Sequence, residues 1–221
     1  MTKPVLGTAV QMLVDEGLLS LDDRASDYLP AFDNDEARDI TIAHLITHRS
    51  GLPFSVATGD SIATLYDQFD SLADIAVKAG EAGLEFVPGT QFLYSDAGAD
   101  SLGTIVEQVS GTTLDAFYEQ RILAPLGMDD TLTLVDSADP RYERIASSYY
   151  GAPGDWERYW GQGDEPLFPF TMGSQSLYST PLAYARFLQY WLERGAADGP
   201  ALISAEAFER GLGPVSDMGD A

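Results

Sequence analysis

The sequence predicts a mainly helical chain, or the helical part of a larger fold whose sheet lies elsewhere. Three observations carry this. Apolar residues recur at helical spacing in several separate stretches. Strand-like runs are few and short. The chain has 221 residues and 45% hydrophobic content, enough for a real core.

The elements follow in order. Val5, Leu6, Ala9, Val10, Leu13 and Val14 share one helix face, and Gly17 stands where that helix ends. Pro4 suits a first turn, where its missing N–H matters least. Leu18 to Leu29 is turn-rich and is closed by Pro30. Thr41 to His48 reads as a short helix, stopped by Ser50-Gly51-Leu52-Pro53. Asp60 to Ala79 is a longer, weaker helical stretch. Pro88-Gly89 marks a turn, with an extended piece from Gln91 to Tyr94 behind it. Asp96 to Val109 is a helix with Leu102, Ile105, Val106 and Val109 on one face and Gly111 as its stop. Thr113 to Leu123 is another, ending near Pro125 and Gly127. Residues 136–178 show no clear period and read as an irregular insert or small lobe. Ser179-Thr180-Pro181 opens a helix through Leu192, with Ala185, Leu188 and Trp191 as buried candidates. Ser204 caps a last helix through Arg210, and residues 211–221 read as a loose acidic tail.

Composition narrows the function. There are 12 Lys+Arg against 35 Asp+Glu, a net charge of −23. Such a chain repels phosphate backbones, which argues against a nucleic-acid partner. The acids spread along the whole chain. Two readings stay open for them: a solvated surface with a coding bias, or adaptation to high salt. Zero cysteines exclude a disulfide scaffold, a thiol nucleophile and a Cys-ligated metal. No apolar run approaches the ~18 residues of a membrane span. The opening residues lack a signal-peptide pattern, so the chain is expected either to be cytoplasmic or to begin inside a longer natural protein.

Single motifs are weak. His44 and His48, the only histidines, stand four apart, and that spacing could bring two imidazoles to one metal. Leu45 occupies the place where a metalloprotease has glutamate, and no third ligand is evident, so a structural role is favoured. The three tryptophans read as core or pocket wall. Lys3 opens an otherwise apolar helix, where a cation opposes the helix dipole. Its plain reading is a solvated first-turn lysine. Tyr94-Ser95-Asp96 sits where an extended piece turns into a helix. Its plain reading is a core aromatic followed by a Ser/Asp cap.

Order and context change that weighing. Met1-Thr2-Lys3-Pro4, LLSLDDRASDYLP (18–30), ITIAHLITHRSGLP (40–53), PGTQFLYSDAGADSLGTIVEQVSG (88–111), Leu126-Gly127-Met128 and STPLAYARFL (179–188) together resemble the serine β-lactamase superfamily. They are most similar to its class C β-lactamase-like esterases, D-stereospecific peptidases and penicillin-binding-protein relatives. The resemblance runs from Met1 to about Arg210.

The resemblance implies an α+β, β-lactamase/transpeptidase-like fold, of which residues 1–210 would supply mainly the helical region, with most of the antiparallel sheet missing. It implies hydrolysis of an ester, β-lactam or D-peptide through an acyl-enzyme on a serine, with no metal or organic cofactor. Lys3 matches the lysine of the S-x-x-K motif, one helical turn after the nucleophile, and would be the general base. A neighbouring cation and partial burial would make it a better base. Tyr94 matches the tyrosine of Y-x-N and would shuttle the proton. Asp96 stands where many members have asparagine and would line the substrate site. The motif serine would directly precede Met1, and a K-T-G or H-x-G strand would follow the last helix. The 221 residues by themselves are therefore expected to form no acyl-enzyme. The alternative is a non-catalytic binding or scaffold protein that keeps the fold. Family members are usually exported, and the segment that would carry an export signal is not in this sequence.

Overall fold

The computed structural model describes residues 1–59, 64–195 and 199–213. Helix α1 (Thr2–Asp15) turns Val5, Leu6, Ala9, Val10 and Leu13 into the core, as their spacing requires. Gly17 follows it with φ +71°, a left-handed position that a glycine adopts without steric cost. Residues 18–33 hold two short 3₁₀ turns, Ala25–Asp27 and Pro30–Phe32. Helix α2 (Ile42–Ile46) is shorter than the sequence suggests. Thr41 and His44 cap its start reciprocally: Thr41 Oγ1 accepts the His44 N–H and His44 Nδ1 accepts the Thr41 N–H, each at 3.2 Å.

Helix α3 (Leu72–Glu81) begins at a Ser71 cap, later than the predicted Asp60. Residues 60–63 lie outside the described residues. Helix α4 (Asp96–Ser110) is capped by Ser95 and ends at Gly111 with φ +70°, as expected. Helix α5 (Leu114–Tyr118) runs on through one π turn, Glu119–Leu123. Strand β1 (Thr131–Leu132) pairs antiparallel with β4 (Tyr178–Ser179).

Strands β2 (Ser148–Ala152) and β3 (Asp155–Trp160) form an antiparallel hairpin inside the segment read as irregular. Pro153 and Gly154 close it, with Gly154 at φ +93°. The hairpin shows no two-residue alternation because nearly all of its residues face outward on both sides. Trp156 is exposed there, whereas Trp160 is buried.

Helix α6 (Pro181–Leu192) buries Ala183, Tyr184, Phe187 and Tyr190. The predicted inward residues Ala185 and Leu188 face outward instead. Two overlapping sets satisfy the helical period here, and the set with three aromatics buries more area. Helix α7 (Ala205–Leu212) starts at its Ser204 cap and extends just past the predicted end. Residues 214–221, most of the predicted tail, lie outside the described residues.

Helix α4 is the centre of the fold. Its Ala97, Ala99, Leu102, Ile105 and Val106 are buried, and α1, α2, α3 and α5 all pack on it. Its N-terminus therefore meets the first turn of α1 inside the molecule, and that meeting builds the site.

Candidate active site

Lys3 projects from the first turn of α1 toward the first residue of α4. Its Nζ donates to Asp96 Oδ1 at 2.6 Å and to the Ser174 carbonyl oxygen at 2.9 Å. The side chain is only 16% exposed, so the solvated lysine of the plain reading is corrected: Asp96 and Ser174 hold it. The group it pairs with is the Asp96 carboxylate.

Tyr94 lies directly over this ammonium, which sits 4.4 Å from its ring centroid. Tyr94 is 45% exposed, so it is not the core aromatic of the plain reading. Ser95 does cap α4: its Oγ accepts the Gly98 N–H at 2.9 Å. Asp96 pairs with Lys3 and is largely buried, and its backbone N–H donates to the Phe54 carbonyl oxygen at 2.7 Å. The structure thus brings together all three residues singled out in the sequence.

The segment after α2 carries Tyr94 into place. Arg49, Gly51 and Phe54 offer carbonyl oxygens to the N–H groups of Gly89, Glu85 and Asp96 at 2.7–2.8 Å. Gly51 has φ +83°, and a Cβ there would fall against the Phe86 carbonyl oxygen. His48 also departs from helical geometry, with φ +57°. The two imidazoles therefore do not share a helix face. Among the described residues no group of three or more His, Asp or Glu is arranged to hold a metal ion.

Two contributors escaped the sequence reading. Ser174 acts through its backbone carbonyl, which no side-chain motif reveals. Asp100 lies one turn beyond Asp96 and is fully buried. It accepts from the Ser174 N–H at 2.8 Å and the Ser174 hydroxyl at 3.0 Å. Burial, reinforced by the charge of Asp96, pushes its carboxyl up to about 7. An acid four residues after Asp96 on a largely apolar helix was the available signal.

Solved structures share this architecture. The chain aligns with a penicillin binding protein from Bacillus halodurans at TM-score 0.76 and 26% identity, covering 99% of this chain and 64% of that one. It aligns with the octameric penicillin-binding protein homologue from Pyrococcus abyssi at TM-score 0.73 and 27% identity, covering 94% and 46%. The class is thus the α+β, β-lactamase/transpeptidase-like fold. The profile of the Beta-lactamase family matches residues 1–221, and the chain belongs to that family.

Curated relatives agree. Penicillin-binding protein 4 of Amycolatopsis lactamdurans is 33% identical, over 92% of this chain and 52% of its own length. A putative D-alanyl-D-alanine carboxypeptidase of Escherichia coli is 31% identical, over 91% and 51%. Esterase EstB of Burkholderia gladioli is 35% identical, over 67% and 40%. The chain spans about half the length of the curated relatives it matches.

Proposed function

We propose that these residues form the helical side of an active site that hydrolyses an ester, β-lactam or D-peptide through an acyl-enzyme. Lys3 takes the proton from the nucleophile, and Tyr94 carries it to the leaving group or from water. Asp96 holds Lys3 in place and lines the substrate site. The observation that carries this reading is the convergence of Lys3, Tyr94 and Asp96, far apart in sequence, within 4.4 Å of one ammonium group. The named relatives, an esterase, a penicillin-binding protein and a carboxypeptidase, support the substrate range.

The nucleophile in this reading is a serine directly before Met1, so the 221 residues alone form no adduct. The test starts with the DNA flanking the coding stretch, followed by fluorophosphonate or labelled-penicillin treatment of the polypeptide its frame encodes. A serine codon directly before Met1, and stoichiometric labelling of the longer product, are expected. A stop codon there, a longer product that takes no label, or labelling of the 221 residues alone would contradict the reading.

A further inference from the structure

His48 touches the segment that carries Tyr94 in three separate ways. Its backbone carbonyl oxygen accepts the Leu93 N–H at 3.0 Å. Its Nδ1 accepts the Ser95 N–H at 3.2 Å. Its ring lies against the Tyr94 ring, centroids 4.5 Å apart and planes 32° apart. One residue therefore binds the N–H groups of both neighbours of Tyr94 and faces the side chain between them. His48 holds this position with a left-handed backbone at φ +57°, a conformation uncommon for non-glycine residues, although histidine adopts it more often than most. Such conformations persist where surrounding contacts over-determine them, and they gather at functional sites.

We infer that His48 is the positioning residue for Tyr94, clamping residues 93–95 so that the Tyr94 ring stays over Lys3 Nζ. The clamp needs an unprotonated Nδ1, because only a bare ring nitrogen can accept the Ser95 N–H. The tautomer is then fixed with the proton on Nε2. The inference rests on the reading of Tyr94 as proton shuttle for its functional meaning, but the clamp itself is a matter of geometry that can be measured without turnover.

The experiment is proton NMR of the 221-residue chain, reading the nuclear Overhauser cross-peak between the Tyr94 ring and the Lys3 ε-methylene. Lys3 is one of only two lysines, so its resonances are readily assigned. His48→Gly removes the imidazole and accepts the left-handed backbone freely. His48→Asn also tolerates that backbone and keeps a side-chain acceptor within reach of the Ser95 N–H. The cross-peak is expected in the parent, lost in His48→Gly and retained in His48→Asn, along with slow exchange of the Ser95 amide. An undiminished cross-peak in His48→Gly would overturn the inference. Loss in both variants would overturn it as well, by tracing the effect to general loosening. Failure of the acyl-enzyme reading shows only in covalent labelling, so the two outcomes stay distinct.

Discussion

Lys3 and Asp96 form an ion pair of 2.6 Å between the first turn of α1 and the first residue of α4. Both side chains are less than a fifth exposed, at 16% and 13%. Removing one partner strands the other charge in a poorly hydrated place. Asp96→Ala is expected to lower stability by roughly 1–3 kcal/mol, short of the ~3–5 kcal/mol of a fully buried pair. Asp96→Asn keeps the shape and an acceptor and should cost less. Urea midpoints of both variants check this ordering.

Two buried groups pull the pH dependence of stability in opposite directions. Asp100, facing Ser174, Asp96 and Lys3, has its carboxyl raised from 3.8 to about 7 by burial. The folded state then holds a proton that the unfolded state has lost, so stability falls as pH rises from roughly 4 to 7. His48, facing Lys3 on α1 and Asp96 on α4, is lowered from 6.5 by burial first and by Lys3 second. Here the unfolded state binds the extra proton, so stability is lost as pH falls below about 6.5.

Asp100→Asn separates the two. It can still accept the Ser174 N–H while removing the raised carboxyl. The variant should lose the decline between pH 4 and 7 and gain on the parent at neutral pH, by on the order of a few kcal/mol at about 1.4 kcal/mol per unit. Thermal unfolding across pH 4–8 reads this. A parent and variant that track each other through that window would contradict the assignment.

Gly51 tests the segment that carries Tyr94. Alanine at φ +83° is strained, and its Cβ would press on the Phe86 carbonyl oxygen. Gly51→Ala is expected to cost roughly 2–4 kcal/mol. Hydrogen exchange should show the damage concentrated at the Glu85, Gly89 and Leu93 amides, which lean on this segment.

Helix α6 leaves Leu182, Leu188 and Leu192 on its outer face at 82%, 49% and 84% exposure. Singly exposed apolar residues are ordinary, but three on one twelve-residue helix leave much apolar surface open to solvent. The 221-residue chain should bind a hydrophobic dye, and replacing all three leucines with serine should reduce that binding. A cooperative, dye-silent monomer would favour the stand-alone binding or scaffold reading.

Much of this fold is legible in the sequence wherever one signal dominates. The apolar spacing of α1 and α4, the Ser95 and Ser204 caps and the Gly111 stop all appear as read. The reading fails where signals compete. On α6 two faces fit the period, and aromatic burial chooses between them. The β2–β3 hairpin faces outward on both sides, so it leaves no alternation to find. At the site, Lys3 and Tyr94 are legible only through their order among other motifs. Their partner Ser174 acts through a carbonyl oxygen, and His48 leaves the helical path through a left-handed backbone, neither of which a residue name discloses.

The most direct measurement is the rate of fluorophosphonate labelling for the polypeptide encoded by the extended reading frame, with and without Lys3→Met. General base catalysis contributes about 10²–10⁴-fold, so the variant should label at least ~10²-fold more slowly while keeping its fold. Equal labelling rates in a folded Lys3→Met variant would contradict the role given to Lys3 and the site built around it.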